Sequence, residues 1–176
     1  MSTPRRIGIM GKMGSGKTTL AEEIIRQAPE FVRYSFGLKV KEIAKDLFGM
    51  ESKDRTLLQS LGTKMREIKS SVWIDYLINQ IVSQGNSRVV IDDVRYLDEI
   101  EALRRCGFHL IYLETPDEIR FNRLKGRDVH FDQDNYYKHD HHISERVDQY
   151  RSYADESHTF HNKSQVSEYV SAKFTE

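Results

Sequence analysis

Gly11-Lys12-Met13-Gly14-Ser15-Gly16-Lys17-Thr18 is the stretch on which the reading of this chain turns. Two glycines with four residues between them, followed by Lys-Thr, have the spacing of a phosphate-cradling P-loop. Glycines let the backbone turn tightly with no side chain in the way, so amide N–H groups point inward at phosphate oxygens. A helix that starts there adds its positive end to the same anion site. Lys17 is then the cation that reaches the outer phosphates, and Thr18 the hydroxyl that holds magnesium.

The flanks agree with this reading. Arg6-Ile7-Gly8-Ile9-Met10 reads as a short buried strand, and Thr18 to Ile25 as an amphipathic helix. Strand, loop and helix in that order are the context the motif requires. The glycines at 11, 14 and 16 do not make Gly-x-Gly-x-x-Gly, which argues against a nicotinamide site at this turn.

Length and charge bound the rest. The 176 residues suit a single domain with a real core. Lys plus Arg equals Asp plus Glu at 27 each, so no global basic field recruits nucleic acid. The apolar runs are too short to span a bilayer, and residues 1–6 lack the apolar stretch of a secretory signal. Cys106 stands alone, so no internal disulfide forms, and its helix-like setting suggests a buried structural thiol. The expectation from these features is a cytoplasmic protein with no membrane or nucleic-acid partner; whether it is a monomer or a homodimer is left open.

Further along, Phe31–Phe36 is a second strand candidate, and Lys39–Phe48 has helical spacing ended by Gly49. Residues 53–84 read as helical, with a break near Lys69-Ser70-Ser71. Arg88–Asp92 is a strongly buried strand, Asp98–Arg105 a short helix, Phe108–Leu113 another strand, and Thr115-Pro116-Asp117 opens the next helix. Residues 127–157 show little period; His158–His161 reads as a last strand and Gln165–Lys173 as a last helix. The alternation predicts an α/β fold, a P-loop NTPase with a parallel sheet of about five strands and helices on both faces. Chemistry is then expected at the carboxyl ends of the strands.

At the end of the strand Val89-Val90-Ile91 stand Asp92, Asp93 and Arg95. One of the two aspartates is expected on the magnesium side, as an acid beside a P-loop. Phosphoryl transfer needs positive charge spread around the moving group. Arg120, Arg123 and Arg127 fall near one helical face after Thr115, as candidates for a lid over the triphosphate. Arg66 and Lys41 are candidates to face an acceptor phosphate. His139-Asp140-His141-His142 has no partner motif at zinc spacing and reads as a polar loop. Trp73 and Tyr76, three apart on a helix, read as core or rim, with stacking on a base as the sharper alternative.

At these residues the chain resembles the phage-type deoxynucleoside monophosphate kinases, within the nucleoside-monophosphate-kinase-like group of P-loop proteins. Besides the P-loop, Phe36-Gly37-Leu38-Lys39-Val40-Lys41-Glu42 is similar to that family's Phe-Ala-x-Pro-Leu-Lys-Glu. Leu57–Thr63, running on to Arg66 and Trp73, looks like its Leu-Gln-x-x-Gly-Thr segment with a later Arg and Trp. Asp93-Val94-Arg95-Tyr96-Leu97-Asp98-Glu99 is similar to Asp-Val-Arg-Phe-x-Asn-Glu, and His142-Ile143-Ser144-Glu145 to His-x-Ser-Glu. Two departures stand out: Thr18 where many members have Asp, and Lys39 where the family has Pro.

The resemblance implies one kinase domain over residues 1–176, with a small lid at roughly 120–145. It would pass the ATP γ-phosphate to a deoxynucleoside 5′-monophosphate. The implied ATP site is Gly11, Lys12, Met13, Gly14, Ser15, Gly16, Lys17, Thr18 and Thr19, with Arg123. The implied substrate contacts are Lys41, Arg66, Trp73, Asp93, Arg95, His142 and Glu145. Lys17, Arg95, Arg123 and Arg127 are the expected catalytic cations. Mg2+ is expected on Thr18 with Asp92 or Asp93. The rival readings are a P-loop kinase for another small phosphorylated acceptor, of the phosphomevalonate or dephospho-coenzyme A kind, and a nucleotide-binding switch without transfer activity.

Overall fold

A computed structural model describes residues 4–127 and 133–175; the side chains of Arg127 and Asn135 fall outside the description, and with the first of them the lid role expected of Arg127. The chain divides into two compact units, Met1–Arg33 with Ser87–Glu176, and Tyr34–Asn86.

The first unit is built on the sheet. Its strands are β1 (Arg6–Met10), β2 (Val32–Tyr34, which runs on into the second unit), β3 (Val89–Val94), β4 (His109–Leu113) and β5 (Glu156–His158), in the order β2-β3-β1-β4-β5. β1 runs parallel to both β3 and β4, and β4 runs parallel to β5. Parallel strands need helical crossovers that bury both sheet faces, so the central strands carry buried apolar runs, Ile7–Met10, Val89–Ile91 and Leu110–Leu113. On one face Ile7, Ile9, Val90, Ile111 and Leu113 pack under α1 (Lys17–Gln27) and α8 (Lys163–Phe174). On the other lies α5 (Leu97–Arg105): a Cβ on Gly8 would come within 3.3 Å of Leu103 Cδ1 and 2.7 Å of Leu110 Cδ2. The fold is that of a P-loop NTPase, as the alternation of strands and helices predicts.

Three local differences from the sequence reading have physical causes. β5 occupies Glu156–His158 rather than His158–His161. Asp155 fixes it there, accepting from the Leu110 amide through its carboxylate and donating its own amide to the Leu110 carbonyl. The described part of residues 127–157 is largely helical: α6 (Asp117–Arg127) ends there, and α7 (Gln133–Asp140) and a 3-10 segment (Ile143–Tyr153) lie within it. A 3-10 turn eclipses residues three apart and leaves no 3.6-residue stripe to read. Cys106 caps the end of α5 and is half-buried, not the buried thiol expected.

The second unit holds α2 (Phe36–Phe48), α3 (Arg55–Ile68) and α4 (Val72–Gln84). Asp54 caps α3 by accepting from the Leu57 amide at 2.9 Å, while Gly49 and Gly85 close α2 and α4 in the left-handed conformation. α2 begins at Phe36, so the second strand is shorter than its apolar run suggested.

No helix among the described residues is long and apolar enough to cross a membrane.

Candidate active site

The loop between β1 and α1 has the backbone the motif demands. Gly11 lies at φ 144°, and a Cβ there would meet Ser15 Oγ at 2.7 Å and the Leu113 carbonyl at 2.8 Å. Gly14, at φ 78°, lets the loop lie against α6: a Cβ would stand 3.0 Å from the Arg120 carbonyl oxygen and 3.2 Å from Leu124. Thr115 Oγ1 donates to the Ser15 carbonyl at 3.2 Å, tying the end of β4 to the loop. The loop thus lies at the carboxyl edge of the sheet, beside the first turn of α1, where an anion is favoured.

Lys17 is buried, and its ammonium donates to the Gly11 carbonyl at 2.6 Å and the Lys12 carbonyl at 2.7 Å. It curls over its own loop. Burial pushes the ammonium well below the ordinary lysine value, and Arg95 and Arg120 add to that push, against the pull of Asp92 and Asp93. A polyphosphate would supply the negative charge that this position lacks.

Thr18 and Asp92 are brought together, the Thr18 hydroxyl donating to Asp92 Oδ2 at 2.9 Å. The cause lies in the pairing of β1 with β3. Gly8 pairs with Ile91 but Met10 pairs with Val94, so β3 carries one residue more than β1 across this step. Such a bulge re-aims side chains, and here Asp92 is buried while Asp93 is half-buried. A hydroxyl and a carboxylate at the foot of a phosphate loop are the hard oxygen donors magnesium takes, with phosphate and water completing its shell. The residues therefore fit the ion, through Thr18 and Asp92. Sequence reasoning missed Arg33, whose Nη2 lies 2.6 Å from the same Asp92 oxygen. Its neighbourhood with Asp92 follows from β2 lying beside β3, which no local pattern records.

The arginines after Thr115 divide. Arg120 is buried, pairs with Asp140 at 2.8 Å and Asp117 at 2.7 Å, and donates to the Met13 carbonyl at 3.0 Å. It is a clamp beneath the loop, which corrects its reading as a lid cation. Arg123 is half-buried and donates to the carbonyls of Gly14, Ser15 and Phe160 at 3.3, 3.4 and 3.1 Å. It therefore sits beside the loop, against the loop's carbonyls.

Arg95 pairs with Glu145, and the buried Glu145 carboxylate accepts from the Met13 amide at 2.6 Å. Glu145, expected to touch substrate, touches the phosphate loop itself. His142 caps the 3-10 segment, its Nδ1 accepting from the Ser144 amide at 3.2 Å. Lys12 and Glu145 also face a cavity of about 710 Å³ walled by Phe121, Tyr136 and Tyr137. No three His, Cys, Asp or Glu side chains gather as a metal-holding set among the described residues.

The acceptor candidates of the second unit are placed within it. Lys41 is exposed on α2. Arg66 is half-buried on α3 and donates to the Gly62 carbonyl at 3.4 Å. Trp73 is buried, its indole N–H donating to the same carbonyl at 3.2 Å, which joins α4 to α3. Tyr76, not Trp73, is the exposed aromatic, with the Lys39 ammonium 5.7 Å from its ring centre.

Comparison with known proteins bears on the family and the fold. The profile of the AAA domain family matches residues 7–144. No curated protein matches the chain. Among solved structures, shikimate kinase from Acinetobacter baumannii in complex with shikimate superposes with a TM-score of 0.59 at 17% identity, covering 97% of this chain and 93% of that one. TT1252 from Thermus thermophilus gives 0.64 at 18% identity, covering 95% and 94%. A gluconokinase from Sinorhizobium meliloti gives 0.61 at 17% identity, covering 99% and 93%. These likenesses are of fold.

Proposed function

The chain belongs to the AAA domain family, and from that premise we propose that it is an ATP-dependent kinase of a small acceptor, namely a (deoxy)nucleoside 5′-monophosphate. The observation that carries the donor half is the convergence of Lys17, Thr18 and Asp92 on one loop, with the Thr18 hydroxyl 2.9 Å from Asp92. The acceptor half rests on the stretch Asp93–Glu99 and on Lys41 and Arg66, which are similar to the deoxynucleoside monophosphate kinase pattern.

Lys17 leaves the carbonyls of Gly11 and Lys12 to meet the outer phosphates, and Arg123 stands beside the same loop to share the charge that develops there. Thr18 and Asp92 are the residues that would hold magnesium, which would supply further positive charge against the phosphates. Arg95 is the cation assigned to the acceptor phosphate in the first unit, and Lys41 and Arg66 are the acceptor cations that the resemblance implies for the second. The acceptor's phosphate oxygen is already anionic, so no strong general base is required.

A second reading has its own support, because the fold is shared with a shikimate kinase and a gluconokinase. An ADP-release assay with Mg-ATP decides between them, run across the common nucleoside monophosphates and their deoxy forms, shikimate, gluconate, phosphomevalonate and dephospho-coenzyme A. The proposal expects ADP release driven by a nucleoside monophosphate. Stimulation by another acceptor alone would transfer the assignment to that acceptor, and slow hydrolysis with no acceptor effect would make the protein a nucleotide switch.

A further inference from the structure

Met13 is held at every group it has. Its amide donates to the Glu145 carboxylate at 2.6 Å, and its carbonyl accepts from Arg120 Nη1 at 3.0 Å. Its side chain is buried against Leu124 and Tyr136, with Phe121 packed on the same cluster. All of these partners come from residues 120–145, between α6 and the start of the 3-10 segment. Both charged partners are buried, Arg120 at 1% exposure and Glu145 at 3%. Buried ions persist only where paired, and here both have partners: Glu145 has Arg95 and the Met13 amide, and Arg120 has Asp117, Asp140 and the Met13 carbonyl.

The P-loop consensus leaves position 13 open, and a residue needed only for its backbone amide would require none of this. We propose that Met13 is the joint through which α6, α7 and the start of the 3-10 segment set the shape of the phosphate loop, and that Glu145 is its positioning residue. Its carboxylate is shared between the Met13 N–H on the donor side and the guanidinium of Arg95, the cation assigned to the acceptor phosphate. This deepens the kinase reading and rests on it for the functional consequence. Glu145 holds the nucleotide-ready loop and the acceptor cation in one fixed relation, and touches neither substrate.

Two variants separate the two halves of that role. Glu145→Gln keeps an oxygen for the Met13 amide and removes the charge facing Arg95. Glu145→Ala removes both. Charge-assisted hydrogen bonds of this kind are worth about a ten- to hundredfold change in an equilibrium constant. Calorimetry with Mg-bound non-hydrolysable ATP analogue is therefore expected to show affinity about tenfold weaker or worse in Glu145→Ala, and within about threefold of normal in Glu145→Gln. In turnover, Glu145→Gln is expected to change the KM for the acceptor more than that for ATP.

The nucleotide-free protein gives an independent reading. The Met13 amide proton should resonate downfield and exchange slowly in the wild type, move upfield in Glu145→Gln, and stay protected when the ATP analogue is added. A Met13 amide shift that, with the analogue bound, no longer differs between wild type and Glu145→Gln would mean that the amide has passed to phosphate, make Glu145 only a stand-in for it, and overturn the proposal. So would unchanged analogue affinity in a folded Glu145→Ala. If Glu145→Ala does not fold, the Gln variant and the wild-type amide still decide. A wild type with a protected Met13 amide but no nucleotide binding would instead reject the kinase reading and leave the joint standing.

Discussion

Gly14→Ala tests how closely the phosphate loop lies on α6. At φ 78° an alanine is in the left-handed region, which costs about 1–2 kcal/mol. The new Cβ would also stand 3.0 Å from the backbone carbonyl oxygen of Arg120 and 3.2 Å from Leu124 Cγ. A helix carbonyl cannot swing away as a side-chain tip can, so the loop or α6 must move, at about 1–3 kcal/mol. The loss of freedom in the unfolded chain returns about 0.4–1 kcal/mol. The net expectation is destabilisation of roughly 2–4 kcal/mol. Gly107→Ala is the matched control: φ is 74° and nothing lies within 4 Å of its Cβ, so only the backbone term applies, about 1 kcal/mol after the same correction. At this chain length each kcal/mol shifts Tm by about 2–4 °C. Calorimetric melts should then place Gly14→Ala several degrees below Gly107→Ala, and only the former should also lose affinity for Mg-ATP. Equal Tm losses in the two variants would refute the close contact between loop and helix.

Three further outcomes are expected. Because burial and Arg95 hold Lys17 well below the ordinary lysine value, binding a polyphosphate should raise it and take up protons. Titrations in buffers of different ionisation enthalpy should show that uptake growing as pH rises toward the ordinary lysine value. Thr18→Ala should leave affinity for metal-free ATP near normal and abolish most of the extra affinity that magnesium confers, read by titrating with and without a chelator. Glu156 is half-buried, which opposes its charge, but hydrogen bonds from His109, His158 and Tyr169 and the nearby Lys173 hold its carboxyl well below the usual carboxylate range. The stabilisation is present above the ordinary carboxylate pKa of about 4.3 and fades as pH falls below it. Wild type should therefore outlast Glu156→Gln in denaturant at pH 7, with the gap shrinking between about pH 4 and pH 2. A gap independent of pH would contradict this.

The sheet was legible because parallel strands buried on both faces are continuous apolar runs: Ile7–Met10, Val89–Ile91 and Leu110–Leu113 could be read directly. The phosphate loop was legible because its glycines answer to a backbone geometry that other residues reach only with strain. β5 was not, since Glu156-Ser157-His158 is a polar edge strand held by Asp155, His109 and Tyr169 rather than by apolar alternation. Charged residues deceived for a related reason. Arg120 and Arg123 are three apart on one helix, and sequence treats them alike. Yet one is buried between Asp117 and Asp140 while the other reaches the carbonyls of Gly14 and Ser15. Glu145 lies 132 positions from Met13, and no local pattern announces a contact of that separation. The choice between Asp92 and Asp93 was likewise closed to sequence, because the bulge in β3 decides which of the two meets Thr18.

The most direct measurement is the calorimetric affinity of the wild type and of Lys17→Ala for Mg-ATP. Lys17 is the ammonium already curled into the loop, 2.6 Å from the Gly11 carbonyl. A charge-assisted contact to phosphate is worth about 1.5–3 kcal/mol, so the variant should bind at least about tenfold more weakly while melting as a folded protein. Equal binding by the two proteins, or no binding by the wild type at millimolar nucleotide, would contradict the account.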